Sequence, residues 1–435
     1  MDRVGAAVAS TVDTARVLAR VLGPVIAQGV VIRYPAMTAR AERHGWDARA
    51  VRTLDDLRRR YGDGPLVLRL PGRRLALVLT AEDAGRMLAG TPDPFAAATS
   101  EKQAALRHFQ PDGVLISTGA VRRDRRAFNE AVLDTGQAMH RLAGPVTRVV
   151  DDEVDRLGDG PDLAWSRYAD VHARVVRRVV LGDPAGNDQQ LTEILDRLRR
   201  RANWAYGRPQ APALRDELHA RIDGYLAAAA PDCLASVVTA TPAAADVHPA
   251  GQIPHWLFAF DALGATTFRA LAVIATDPSI RSAVAGELVP GPAHRPHLAA
   301  AVLETLRLWP TTLVLLRQTT EPTHWRDRTL SAGTTLIAHS SYLHRDPTRG
   351  TAADRFSLAP WLDASADADP GLVPFSAGPA RCPGRDLVTF TGATLLAAVL
   401  SRYEVTLRRP HLDPHRLPTA LDHFQIRLGL RPLRP

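Results

Sequence analysis

Apolar residues recur at helical spacing through most of this chain and alternate at strand spacing in only a few short places. Helix-period patterns run across Gly119 to Leu133, Pro145 to Leu157, Ala164 to Leu181 and Leu191 to Ala205. Pro254 opens a helix that continues to about Thr276, and Leu298 to Leu308 and Leu387 to Leu400 predict two more. Leu66 to Leu70 and Leu75 to Leu79, bridged by Pro71-Gly72-Arg73-Arg74, read as a β-hairpin. A strand starting at Leu336 leads into an irregular meander ending near Phe356, and Tyr403 to Leu407 with Phe424 to Leu430 are closing strands. The predicted class is mostly α with small β-sheets.

Composition narrows this to one large helical domain. The 435 residues exceed a usual single-core domain, yet no Ser/Gly-rich linker or internal repeat divides them. At 46% hydrophobic and 23% charged, the chain can bury a sizeable core and stay in solution. One domain over 1–435 is expected, with an N-terminal helical extension over about 1–60. Val4 to Ile32 is apolar in parts, but Asp13, Arg16, Arg20, Pro24 and Gln28 interrupt it, so no stable membrane insertion is expected. Cys233 and Cys382 are the only cysteines, which implies no disulfide framework and a cytoplasmic setting. The net charge of +8 suits an acidic protein partner; scattered arginines without interleaved aromatics argue against nucleic acid.

Candidate chemistry concentrates in Phe375-Ser376-Ala377-Gly378-Pro379-Ala380-Arg381-Cys382-Pro383-Gly384, where a cysteine sits in a Gly/Pro-bent loop directly before an apolar helix. Unpaired N–H groups at the helix start are expected to favour the thiolate of Cys382, a form suited to binding iron. Upstream, Glu304-Thr305-Leu306-Arg307 pairs opposite charges at i and i+3, and His344-Arg345-Asp346-Pro347 and Asp354-Arg355-Phe356 follow. Taken together, FxxGxxxCxG near the C-terminus and ExxR before it make this chain resemble the cytochrome P-450 superfamily of haem-thiolate enzymes, from Leu66 to Leu430.

The resemblance implies the cytochrome P-450 fold, with haem b (iron protoporphyrin IX) between a long distal helix and the Cys loop. It implies Cys382 as the axial ligand, with Phe375, Gly378 and Gly384 shaping the loop. Cations would bind the haem propionates. Candidates are Arg317 and the run Arg122, Arg125 and Arg126, whose register is open between Val121 with Arg125 and Arg122 with Arg126; Arg125 fits the family slightly better. Many members carry Arg or His two residues before the cysteine, where this chain has Ala380 beside Arg381. Glu304 and Arg307 would form the family's buried structural pair, completed by Arg355.

On the distal helix the family pattern of small residues, acid and alcohol maps onto Leu263-Gly264-Ala265-Thr266-Thr267. Gly264 and Thr267 are retained, and Thr266 replaces the acid. Asp261 is no direct substitute, because six residues place it about 240° round the helix from Thr267. Trp256, Phe260 and Leu263 share the face of Thr267 and predict an apolar distal wall. With Leu313, Val314 and Leu315, the loop Pro92 to Leu115 and the turn near Leu417 to Leu421, they suit a small or medium apolar organic molecule. The expected activity is a monooxygenase supplied by a separate ferredoxin or flavodoxin and its reductase. Peroxide-driven or redox-neutral haem chemistry (N–O cleavage, nitrene-like transfer, dehydration) is the alternative enzyme reading. A haem sensor or electron-transfer protein is the non-enzymatic one.

Overall fold

The computed structural model describes residues 7–433 except 159, 161, 229 and 327. Its principal helices are α1 (Trp46–Tyr61), α2 (Ala81–Ala89), α3 (Ser100–Leu106), α4 (Gly119–Val132), α5 (Ala143–Asp155), α6 (Trp165–Leu181), α7 (Gln189–Ala202), α8 (Pro212–Ala228), α9 (Ile253–Thr276), α10 (Pro296–Leu308) and α11 (Arg385–Arg402). Helices dominate, as the sequence pattern predicts. α3 lies inside the stretch read as a loop from Pro92. α8 escapes the helical pattern because its apolar positions are spread round the axis, with only Leu218 and Ile222 buried.

The strands are β1 (Leu66–Val67), β2 (Leu75–Val78), β3 (Phe95–Ala96), β4 (Asp162–Ala164), β5 (Val314–Thr319), β6 (Thr323–Trp325), β7 (Arg328–Leu330), β8 (Thr335–His339), β9 (Tyr403–Arg409) and β10 (Arg427–Pro432). A five-stranded sheet runs β1-β2-β8-β5-β3, with β2 and β8 parallel. The expected hairpin is present as β1 and β2, paired at Leu66↔Leu77 and turned at Gly72, whose φ of +70° favours glycine. β4-β10-β9 form a second sheet and β6-β7 a third.

The N-terminal region packs on the first sheet. Helical stretches Thr11–Val17, Leu18–Leu22 and Gly23–Gln28 follow one another, and Val17 and Val21 join Leu54 and Leu57 of α1 in one apolar cluster. A larger cluster fills the space among α4 to α11. At its centre runs α9, packed on α6, α10 and α11. Among the described residues, the one helical stretch long and apolar enough to cross a membrane is Ala245–Thr276, and 78% of its apolar window is buried inside the fold.

Candidate active site

The Cys loop lies flat against α2. A Cβ at Gly378, where φ is +64°, would stand 2.2 Å from the Leu88 carbonyl oxygen, so only glycine allows this approach. The loop folds back so that the Cys382 N–H donates to the Phe375 carbonyl at 2.9 Å, and α11 begins at Arg385 with Gly384 as its cap. The Gly384 N–H hydrogen-bonds the Cys382 sulfur, and Arg126 and Arg381 add positive field. Burial nevertheless outweighs these and pushes the thiol up. The expectation that the helix start by itself favours the thiolate is therefore corrected: the loop stabilises the sulfur, but burial sets its proton affinity.

Three cations converge, with Glu101 and Glu130 acting on Lys102 and Arg122 only at a distance. Arg317, buried on β5, donates to Thr91 Oγ1 at 2.8 Å, to the Leu316 carbonyl at 2.9 Å and to Ser376 Oγ at 3.2 Å. Arg122, buried on α4, leaves Nε without a hydrogen-bond partner. Lys102 of α3 donates to the carbonyls of Ala97 at 2.9 Å and Leu316 at 3.1 Å. Burial, Arg317 and Arg122 together pull Lys102 down to about 7, and burial and Arg122 pull Arg317 down to about 10. None of the three forms an ion pair among the described residues. Lys102 is the site residue that motif reasoning missed; its one signal was being the single lysine in an arginine-rich chain.

The other candidate cations are spent elsewhere. Arg125, favoured by family register, is turned away: it donates to Asp112 at 2.8 Å, to Ser117 at 2.8 Å and to the Asp246 carbonyl at 3.1 Å. Of the two registers left open, Arg122 with Arg126, one helical turn apart, is the one whose side chains lie near Arg317 and the Cys loop. Arg126 donates to the Arg381 carbonyl at 2.6 Å and props the Cys loop from below. The Arg381 side chain pairs with Asp367 at 3.1 Å.

Helix α9 presents two contrasting faces. Trp256, Phe260, Leu263 and Thr267 share one, as expected, but that face is packed solid. Trp256 donates to Asn129 of α4 at 2.8 Å, and Thr267 Oγ1 lies 2.6 Å from the Tyr168 hydroxyl of α6. A Cβ at Gly392 of α11 would meet Leu263 at 2.7 Å and Thr267 at 3.4 Å. These residues make helix-packing contacts in this structure. Gly264 also packs against α6, where its missing Cβ makes room for His172.

The adjacent face, about 100° round the helix, is open. His255, Ala259 and Ala262 recur at i, i+4 and i+7 and are half-buried in the middle of the most enclosed helix. Thr266 continues this face one turn on, its hydroxyl donating to the Ala262 carbonyl at 2.7 Å. Asp261 is exposed and ion-paired with Arg199 of α7. On β5, side-chain alternation sends Leu315 to the side of Arg317 and Val314 to the other.

Glu304 and Arg307 form a buried bidentate pair, both contacts 2.8 Å. Arg355 joins the pair through its backbone. It supplies its carbonyl, 2.8 Å from Arg307, while the residue itself is exposed. Glu304 is completed by the Ser357 N–H at 2.9 Å and the Trp361 indole at 2.8 Å.

Residues 265–422 match the family model for cytochrome P450. Cyclooctat-9-en-7-ol 5-monooxygenase of Streptomyces melanosporofaciens is 32% identical over 24% of this chain and 23% of its own length. Human cytochrome P450 4B1 is 30% identical over 32% of this chain and 28% of its own length. The matched stretch thus spans about a quarter of these relatives. Cyanobacterial CYP120A1, solved with retinoic acid bound, superposes with a TM-score of 0.69 over 87% of this chain and 94% of its own, at 17% identity. Its likeness shows the fold. The family match runs from the second half of α9 through the Glu304–Arg307 pair to the Cys loop and beyond. Over residues 265–422 this chain is thus similar to the cytochrome P450 family, and its fold is that of CYP120A1.

Proposed function

We propose that this protein is a haem-thiolate monooxygenase of a small or medium apolar organic molecule, acting in the cytoplasm with electrons from a ferredoxin or flavodoxin and its reductase. One observation carries the reading: a cysteine held at a helix start shares its site with three cations that have no carboxylate partner. That donor set fits haem b, a planar apolar group with one open position for a thiolate and two carboxylates at its edge. Cys382 would ligate iron, and Lys102, Arg122 and Arg317 would hold the propionates in the place that Ala380 leaves empty. Haem bound there supplies an iron that activates oxygen, with electron density from the thiolate favouring O–O cleavage.

The chain's own residues prepare the rest. Ala259 and Ala262 leave space on the open face of α9, whose sequence neighbours are mostly apolar and exclude water. Thr266 has given its one proton to the Ala262 carbonyl, so its oxygen can only accept. Asp261 holds its carboxylate on the solvent side against Arg199, where it can exchange protons with water. The lack of a free acid or alcohol donor on the open face supports one second reading: the same haem driven by peroxide, or redox-neutral.

The test is the protein produced with haem supply and reduced under carbon monoxide. A strongly red-shifted Soret band supports the thiolate, and a band typical of histidine-ligated haem overturns it. Oxygen-dependent product formation with ferredoxin and reductase, against formation with peroxide alone, then separates the two chemistries.

A further inference from the structure

His255 stands at the far end of the open face of α9, on the same side as Ala259 and Ala262. The ring is half-buried, yet Nδ1 is enclosed without a hydrogen-bond partner. Its ring neighbours are aromatic, with the Arg199 guanidinium 5.0 Å from the Phe258 ring centroid. Phe258 meets it edge-on at 5.7 Å between ring centroids, and Phe109, from the loop before α4, meets Phe258 at 5.6 Å. Burial alone pulls His255 down to about 4, and no charged group acts on it in either direction. At neutral pH the ring is therefore an uncharged imidazole, able to donate from one nitrogen and accept at the other. Nδ1 is itself sealed off, and the accessible part of this half-buried ring is the Nε2 edge, the part a substrate would meet.

We propose that His255 determines substrate specificity by hydrogen-bonding one neutral oxygen, a hydroxyl or a carbonyl, on a substrate that is otherwise hydrocarbon. This rests on the haem-thiolate reading above. Seven residues of helix separate His255 from Ala262, so the recognised oxygen lies about 10 Å along α9 from the small residues that leave room for chemistry. The substrate is then a rigid apolar skeleton of at least that reach, with its oxygen at the end remote from the reacting carbon. A carboxylate is disfavoured, because the nearby Arg199 guanidinium is already paired with Asp196 and Asp261 and the apolar rings would strip the carboxylate of its water.

The experiment uses haem-loaded wild type, His255→Phe and His255→Gln with four probes: perhydrophenanthrene, a secondary alcohol of it, the matching ketone and a matching carboxylate. Dissociation constants come from the ligand-induced Soret shift. In wild type the alcohol and ketone are expected to bind about tenfold more tightly than the alkane, and the carboxylate most weakly. His255→Phe keeps the stacking on Phe258 and should erase that preference, while His255→Gln should restore part of it. Equal affinity for alkane and alcohol in wild type, a preference that survives in His255→Phe, or no shift with either neutral oxygenated probe overturns the proposal and leaves the haem-thiolate reading standing. A wild-type carbon monoxide complex without the thiolate band overturns both.

Discussion

The carbon that Gly264 lacks would stand 2.9 Å from Nδ1 of His172, and the imidazole of α6 fills the groove that this glycine opens in α9. His172 is buried and pulled down to about 4 by that burial, so the contact is between a neutral ring and bare backbone. Ala at position 264 would gain about 1 kcal/mol of helix propensity but overpack the crossing by about 1 to 3. Gly264→Ala is expected to lower the melting temperature in wild type and to raise it in a His172→Ala background. Thermal melts of the four proteins check this; the same sign in both backgrounds would refute the packing role.

The converging cations should govern cofactor retention. Lys102→Met, Arg122→Ala and Arg317→Ala would each remove the charge-assisted propionate contact proposed for that residue, roughly 1.5 to 3 kcal/mol apiece. Haem transfer to an apoprotein acceptor is expected to accelerate in all three. Arg125→Ala should lower thermal stability through loss of the Asp112 contact and leave the transfer rate near wild type. An accelerated transfer in Arg125→Ala alone would favour the other register.

Cys382→Ser should abolish the red-shifted Soret band of the reduced carbon monoxide complex while the fold, followed by far-UV circular dichroism, persists. Retention of the band in that variant would remove the cysteine from the iron.

The two faces of α9 predict opposite outcomes for neighbouring positions. Ala262→Leu adds three carbons of side chain toward open space, so it should leave the melting temperature nearly unchanged and block ligand-induced spectral shifts. Leu263→Ala empties the packed face against Gly392 and should cost about 2 to 5 kcal/mol. Urea unfolding with parallel ligand titration distinguishes them; if Leu263→Ala blocked ligands at unchanged stability, the faces would have to be exchanged.

Asp422 supplies a pH dependence. It is buried, with Oδ1 accepting from the Phe424 N–H at 3.1 Å and Oδ2 without a partner. Burial, reinforced by Glu42, pushes its carboxyl up from 3.8 to about 6 against the Phe424 N–H and Arg269. The folded state thus holds the proton more tightly than the unfolded one. Folding is unpenalised below about pH 4 and loses stability as pH rises through 6, on the order of 2 kcal/mol. Asp422→Asn should remove that loss, being more stable than wild type at pH 8 and equal to it at pH 4 in urea midpoints. A difference of the same size at both pH values would assign the effect to something other than ionisation.

Much of this architecture could be read from residue pattern, and where it could not, the reasons are physical. α9 and α11 stand out because their apolar residues are long, continuous and bounded by proline or glycine. The Cys loop stands out because glycine and proline appear where the backbone must bend. The faces of α9 do not, since a helix enclosed on every side carries apolar residues all round, and nothing in the string distinguishes a packed leucine from a pocket leucine. Ala259 and Ala262 show the point: the open face is marked by small side chains, which look featureless in sequence. Arg125 misleads because Asp112, its partner, is far enough away in the chain that no local spacing rule couples them.

Lys102, Arg122 and Arg317 also bear on how this protein comes to be made. Like charges gathered in the interior oppose the closure of α3, α4 and β5 until something anionic arrives between them. A porphyrin dicarboxylate that binds only the closed form would shift the folding equilibrium by mass action, with a gain that grows with its free concentration. Chains synthesised while haem is scarce would linger in loosened states exposed to proteases, so the cellular abundance of this protein would follow porphyrin supply as well as transcription.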